Sequence, residues 1–385
     1  MIRLEDVCEF IVDCPHSTAK DEGAGYPLIR TPNIGKGRLI LDGVHRVSVE
    51  VYHKRNQRAI PQNDDLIFAR EAPAGNVAII KNSEKVCLGQ RTVLLRPNKA
   101  LAYPDFLVYY LLAPQQQYSL LGTANGATVA HVNMSTIRNL MISLPPLEQQ
   151  KRVAEILAAY DNLIENNQKQ IKLLEEAAQR LYKEWFVDLR FPGHETTPIV
   201  DGVPEGWVEG TIQDVVVYHD KKRKPLSGMQ RAEMQGKYRY YGAASILDYV
   251  NDYLFDGTYL LLGEDGTVVT EDGFPVLQYV TGKFWVNNHA HVLTGQPGYP
   301  TEYLYMMFKS TKVKDVVTGA AQPKISQARL SNKKIVVPSK QLVSAYCDIV
   351  EPMFKEILNL EHQIMVLKEA RDRLLPKLMS GEIEV

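Results

Sequence analysis

The chain has 385 residues, room for two domains of ordinary size, each with its own core. Apolar residues at 45% and charged residues at 23% are the proportions of a soluble globular protein, and no apolar run approaches the roughly 20 residues that span a bilayer. A formal net charge of −1 excludes a generically basic nucleic-acid binder, so any such role needs positive charge concentrated locally.

The first half opens on Leu4-x-Asp6-Val7, and the start Met1-Ile2-Arg3-Leu4-Glu5-Asp6 does not read as a signal peptide. Asp65 to Arg70, Val77 to Ile80 and Thr92 to Leu95 read as short strands between Gly, Pro and Asn turns. Phe106 to Leu112 reads as a buried helix. After Pro145-Pro146, which bars the preceding chain from helix, a long helix is expected from about Leu147 to Phe186. A linker rich in proline and glycine, Pro192 to Gly206, leads to Trp207 and a second half. There Ile212-x-Asp214-Val215 echoes the first opening. Strands are expected at Tyr259 to Leu262, Phe284 to Val286 and Ala290 to Leu293, with a helix around Tyr303 to Phe308. A second long helix is expected from about Lys340 to Leu378, capped by Ser339.

The halves repeat each other. Gly126 to Pro145 lies on Gly319 to Pro338 without a gap at an offset of 193, pairing Gly126-Ala127 with Gly319-Ala320, Asn139 with Asn332, and Pro145 with Pro338. Tyr103-Pro104 and Tyr109 match Tyr299-Pro300 and Tyr305 at a nearby offset. This period far exceeds the roughly 20–50 residues of a solenoid unit and marks a duplicated domain-plus-helix module.

Both long helices carry a period near 3.5, the pattern of a coiled-coil seam. In the first the seam is Val153, Leu157, Tyr160, Ile164, Asn167, Ile171, Leu174, Ala178, Leu181 and Trp185, with Asn167 its one strongly polar position. In the second it is Ile357, Leu360, Ile364, Leu367, Arg371, Leu374 and Leu378, reached from Leu342, Tyr346, Ile349 and Met353 through a stutter beside Pro352, where a kink or local unwinding is expected. If a pseudo-twofold relates the halves, the helices pack antiparallel and hold the domains apart. The expected fold class is therefore α+β: two globular mixed α/β domains (1–145 and 191–338) separated by two long antiparallel coiled-coil helices (146–190 and 339–385), as a pseudo-twofold repeat. From Val153 to Trp185 such a strut measures about 50 Å at about 1.5 Å per residue, which is about 15 base pairs of duplex.

Signs of catalysis are thin. Phosphate-binding, dinucleotide-binding and His-Glu-x-x-His patterns are absent, and the Pro-Pro pair lacks the setting of a methyltransferase motif. Glu264-Asp265-Gly266 reads as turn chemistry first. Cys8, Cys14, Cys87 and Cys347 are scattered, which indicates neither a zinc site nor a disulfide framework and fits a reducing cytoplasm. His289 and His291 share a strand face, but no Cys or carboxylate at ligand spacing joins them, so no metal is expected. The stretch Leu88 to Thr92 is expected opposite Asn287 to His291. Local basic clusters do occur, at Lys221-Lys222-Arg223-Lys224, Lys54-Arg55 with Arg58, Lys36 with Arg38, and Lys333-Lys334. Such groups neutralise phosphates, while Arg, Asn, Gln, Ser and Thr read base edges.

Leu144-Pro145-Pro146-Leu147-Glu148-Gln149-Gln150-Lys151-Arg152-Val153-Ala154-Glu155-Ile156-Leu157, followed by Trp185-Phe186-Val187-Asp188, resembles the central region of type I restriction–modification specificity (S) subunits. Arg371-Asp372-Arg373-Leu374-Leu375-Pro376-Lys377-Leu378-Met379-Ser380-Gly381-Glu382-Ile383 is similar to that family's C-terminal signature, and Gly319 to Ser326 to the segment closing its recognition domains. The resemblance implies a non-catalytic, cytoplasmic and nucleoid-associated DNA-specificity subunit whose two target-recognition domains each read half of a bipartite duplex site. It implies helices that set the spacer and dock two methyltransferase (M) subunits, with restriction (R) subunits joining through the complex and no membrane role. No cofactor is expected on this chain; S-adenosylmethionine belongs to the M subunits, and ATP with Mg2+ to the R subunits. The first half departs from the pattern at Gly126 to Asn133, leaving the role of His131 open, and helix two lacks the Pro-Leu-Glu-Gln-Gln run, leaving open whether the M-docking ends are equivalent.

Candidates for DNA contact are Arg30, Thr31, Asn33, Lys36, Arg70, Gln90, Arg91 and Thr92 in the first domain. In the second they are Lys222, Arg223, Tyr241, Ser245, Asn288, His289, His291 and Lys324. The rival reading is a coiled-coil scaffold with two protein-binding domains and no DNA role, suggested by the near-zero charge. A self-sufficient nuclease or methyltransferase is disfavoured by the missing motifs.

Overall fold

The structure, a computed structural model, describes residues 1–81, 85–122, 131–200, 202–319 and 322–385; Gly126-Ala127 and Ala320 of the sequence repeat lie outside the described residues. Two compact units emerge, one of residues 1–168 with 362–385 and the other of residues 169–361.

In the first unit Ile2–Arg3 pairs antiparallel with Met141–Ile142, and Cys8–Asp13 then enters a five-stranded sheet. Its order is Cys8–Asp13, Thr92–Pro97, Leu66–Ala69, Val77–Ile79, Gly37–Arg38. A second sheet sets Arg46–Val47, Tyr26–Ile29 and Cys87–Leu88 side by side, the last two parallel. Every residue of Leu66–Ala69 is buried, because both faces of that strand are covered. Alternation sends Leu66 and Phe68 towards Phe106 and Tyr109 of helix Pro104–Leu112, while Ile67 and Ala69 meet Ile29 and Leu88 on the other side.

The second unit repeats this plan. Val208–Thr211 pairs antiparallel with Lys334–Val337, and a four-stranded sheet runs Val216–Tyr218, Ala290–Gly295, Tyr259–Gly263, Leu277–Val280. A second sheet runs Ile246–Val250, Gln235–Tyr241, Lys283–Val286, Phe255–Asp256, again with two neighbouring strands parallel. Leu260 and Leu262 face helix Thr301–Ser310, while Leu261 faces Phe284. Single backbone bonds recur as well. Leu4 N–H to Leu140 O (2.8 Å) returns as Ile212 to Lys333 (3.0 Å), and Asn98 to Val7 (2.9 Å) as Gln296 to Val215 (2.9 Å).

The first long helix is Leu147–Tyr182, prolonged by a π-helical turn over Lys183–Val187; the second is Lys340–Ser380, with Leu342 N–H bonded to the Ser339 hydroxyl. In the first, Val153, Leu157, Ile164, Asn167, Ala178 and Trp185 are buried, and Tyr160, Ile171, Leu174 and Leu181 are half-buried. Leu163 and Leu173, beside the seam, are 50% and 64% exposed. In the second, Tyr346, Ile357, Leu360, Ile364 and Leu378 are buried, and Leu367, Arg371 and Leu374 half-buried. Ile349 departs from the expected seam at 43% exposed. The buried line instead runs Val343, Cys347, Val350, Phe354, Ile357 in steps of four and three, so the expected stutter is replaced by an unbroken repeat. The helix also continues through the exposed Pro352 without interruption. Within the first unit Asn167 donates to Gln363 (3.0 Å) and Arg371 to Asp161 (2.5 Å), so the two helical segments there run antiparallel. Among the described residues no helix is long and apolar enough to cross a membrane.

Candidate nucleic-acid interface

Strand register decides which loops meet. In the first unit Asp13 is opposite Val93 and Ala69 opposite Thr92, so two strands finish where a third begins. Arg70 N–H bonds Arg91 O (3.0 Å), and Val132 N–H bonds Arg70 O (3.0 Å). In the second unit Glu264 N–H bonds His289 O (2.8 Å), and Ile325 N–H bonds Glu264 O (2.8 Å). These matched bonds make Arg70 equivalent to Glu264, Arg91 to His289 and His131 to Lys324. Asn287 to His291 thus lies on Gly89 to Val93, one residue later than the expected match with Leu88 to Thr92.

The side chains at the first sheet end form a chain of alternating charge. Arg70 donates to Asp13 (3.0 and 3.2 Å), to Val132 O (3.0 Å) and to His131 Nε2 (2.9 Å). His131 Nδ1 then faces Glu71 (2.6 Å), which places its proton on Nδ1. Glu71 also binds Arg91 at 2.7 Å. Arg91 has φ of +66°, a left-handed backbone setting uncommon for residues other than glycine, and its side chain is 55% exposed. Gln90 accepts from Thr18 (3.0 Å), whereas Thr92 is buried with its hydroxyl spent on Gly89 O (3.0 Å).

The other first-unit candidates divide by burial. Thr31 and Asn33 are buried, and Asn33 bonds Arg30 N–H (3.1 Å) and Ile40 O (3.1 Å). Arg30 is half-buried and Lys36 exposed. The basic clusters divide too. Arg38 pairs with Glu165 (3.0 Å) on the long helix, and Arg55 is only 5% exposed, donating to Leu88 O (2.6 Å) and Ser17 O (2.9 Å). Burial lowers the Arg55 pKa, while its carbonyl partners hold the loop before Thr18 against the strand leading to Gln90.

At the second sheet end the charges are redistributed. Glu264, in Arg70's place, is held by Arg223 (2.6 Å) and Lys324 (3.3 Å). Arg223 also donates to Ala290 O (2.7 Å) and lies 3.4 Å from Asp220. His291, 1% exposed, has Nδ1 against Asp220 (2.6 Å) and Nε2 against Ile325 O (2.8 Å), so both nitrogens face acceptors. Burial alone would raise the Asp220 pKa; the His291 bond and charge, the Val292 N–H and Arg223 outweigh it and hold the carboxyl below its usual value. His289 pairs with Asp265 as Arg91 pairs with Glu71. Ligand atoms of Asp220, Glu264 and His291 lie within 4.8 Å of one another, a spacing a cation could use, but the Arg223 guanidinium already lies against both carboxylates.

Lys222, Ser245 and Asn288 are exposed, and Tyr241 is buried with Arg239 at 3.4 Å from its hydroxyl. The bonds therefore join Arg70 and Arg91 in one cluster, and Arg223, His291 and Lys324 in the other, with His289 beside it; they do not tie in Lys36, Tyr241 or Ser245. Sequence reasoning missed the carboxylates Asp13, Glu71, Asp220 and Glu264 that grip these cations. The available signal was an acidic residue within two positions of a strand's end, at Glu71 and Glu264.

The family description "Type I restriction modification DNA specificity domain" matches residues 1–176 and again 204–367. The chain is 27% identical to the type I restriction enzyme MjaIX specificity subunit of Methanocaldococcus jannaschii, over 100% of this chain and 93% of that protein. It is 20% identical to the type I restriction enzyme HindI specificity subunit of Haemophilus influenzae, over 85% of this chain and 88% of that protein. A crystal structure of the type I restriction–modification S subunit from M. genitalium shares the fold, with a TM-score of 0.53 at 17% identity over 96% of this chain and 93% of that one. With two matched domains, a repeated sheet plan and two long helices, the chain belongs to the type I restriction–modification DNA specificity family.

Proposed function

We propose that each sheet end reads one half of a bipartite duplex DNA target, with residues 1–145 and 191–338 as the two target-recognition domains. The supporting observation is one backbone frame carrying different side chains: Arg70, Arg91 and His131 in one unit, Glu264, His289 and Lys324 in the other. Base edges differ in donor and acceptor pattern, so a fixed scaffold with exchanged side chains suits two different half-sites. Arg91, Gln90, His289, Asn288 and Lys324 are the base readers in this reading, and Lys36 and Lys222 neutralise phosphate. The buried Thr31, Asn33, Thr92 and His291 shape the loops.

The helical stretches 146–190 and 339–385 set the unread gap and dock two M subunits. Methylation with S-adenosylmethionine is the work of the M subunits, and ATP-driven cleavage with Mg2+ that of R subunits, so this chain contributes recognition and no chemical step. Sequencing methylated bases in host DNA with and without the gene tests this directly. One split motif should vanish with the gene. Binding by the chain with its M partners that shows no sequence preference would instead favour the protein-scaffold reading. Inserting one heptad into each long helix should change only the gap between half-sites and neither half.

A further inference from the structure

The equivalence of the two units extends into the helices, which begin at Leu147 and Lys340, again 193 apart. At this offset the buried positions coincide. Val153, Ala154 and Leu157 fall on Tyr346, Cys347 and Val350, and Leu378 falls on Trp185, each in its own unit's core. One pair of positions exchanges opposite charges for apolar side chains. Asp161, 3% exposed, stands where the second unit has Phe354, and Arg371 stands where it has Ala178. In the first unit Asp161 accepts from the Tyr109 hydroxyl (2.6 Å) and from Arg371 (2.5 Å). In the second, Tyr305, the counterpart of Tyr109, lies edge-on to Phe354 with ring centroids 5.8 Å apart.

We infer that Asp161 and Arg371 form a pairing code: the leading stretch of the first helix accepts the trailing stretch of the second and rejects the equivalent stretch of a second copy of this chain. If two first halves paired, each Asp161 would face Ala178. If two second halves paired, each Phe354 would face Arg371. The first arrangement buries Asp161 without its counter-charge, and the second sets Arg371, left only with the exposed Asp372 (2.8 Å), against the Phe354 ring; removing one partner of a buried pair costs more than the pair itself gains. Side-chain volume acts in the same direction, because Trp185 would have to enter the space that Leu378 fills. Only the mixed pairing satisfies both junctions. The duplicated module is thereby kept from assembling with itself, and the two unlike readers stay together.

The test starts from the full folded chain with a protease site placed between the exposed Glu195 and Thr196. After cleavage, isotopically labelled and unlabelled batches are mixed and the pairings of the two fragments read by native mass spectrometry. The unsubstituted chain should stay a one-to-one complex of unlike fragments. D161F/R371A, which copies the second unit's junction, should raise the ratio of like-paired to unlike-paired complexes by on the order of a hundredfold. D161R/R371D keeps the pair with reversed signs and should return to unlike pairing, a control that holds even if the first variant folds poorly. Scrambling of the unsubstituted fragments to a statistical mixture overturns the proposal. So does a folded D161F/R371A that remains as strictly unlike-paired as the parent.

Discussion

Arg91→Ala removes a guanidinium that is 55% exposed and bound to Glu71 at 2.7 Å. Its effect on folding should be small, because an exposed ion pair contributes about 0–1 kcal/mol and Glu71 keeps its 2.6 Å bond to His131. Any large effect is therefore on recognition. A bidentate base contact is worth about 1–3 kcal/mol of discrimination, a factor of about 5–150 at one base pair. A phosphate contact would instead weaken all sequences alike and lower the log–log salt slope by about 1. The assay is binding of the chain with its M partner to duplexes altered in one half-site or the other, repeated over a salt series. The expected result is relaxed discrimination in one half-site only, with the second half-site and the salt slope unchanged. A uniform loss across both half-sites with a shallower slope would refute base reading by Arg91. No change at all would refute its presence in the interface.

Arg55→Ala should lower the melting temperature clearly, because it strands the buried Leu88 carbonyl at about 1–3 kcal/mol and removes the bond to Ser17 O; a melting curve like the parent's would show those bonds to be dispensable. The depressed Asp220 pKa means that its stabilising contribution is complete above the usual carboxylate value of about 3.9 and is lost as pH falls through the lower folded value. Asp220→Asn should therefore flatten the acid limb of the urea midpoint against pH, and an acid limb as steep as the parent's would contradict this. Asn167→Leu copies Leu360, its counterpart at the offset of 193, and should raise the melting temperature, since the Asn167–Gln363 bond is exchanged for apolar packing. A lower melting temperature would mean that the bond outweighs the packing.

The helices were legible because a sustained 3.5-residue period needs no knowledge of the rest of the fold, and Leu66–Ala69 or Tyr259–Gly263 announce themselves as apolar runs. Adjacent apolar residues defeat the same reasoning: Ile349 and Val350 stand side by side, and only packing shows that Val350 turns inward. Basic clusters mislead for a related reason. Lys54 and Arg55 are neighbours in sequence, yet on a helix they point in different directions, one to water and one into the interior. The carboxylates of the sheet ends were not legible, because strand register rather than spacing brings Asp13 to Arg70 and Asp220 to His291. Loops of unequal length also carry the repeat from an offset of 193 at Leu140 and Lys333 to 198 at Asn98 and Gln296, which accounts for the one-residue misplacement of the histidine strand.

The position of the Asp161–Arg371 pair has an evolutionary consequence. Both residues sit on the helices, outside the sheets whose ends differ between the units, and the only lobe side chain that touches Asp161 through a hydrogen bond among the described residues, apart from the helix itself, is the Tyr109 hydroxyl. A tyrosine stands at the counterpart position 305 as well. A chimera that imports a foreign lobe must therefore keep that tyrosine for the pair to be satisfied, together with the apolar surface over Val153, Ala154 and Leu157 and the Arg38 bond to Glu165, and both crossover points must fall outside the helices. Breakpoints inside a helix would separate Asp161 from Arg371 and leave a hybrid that cannot close.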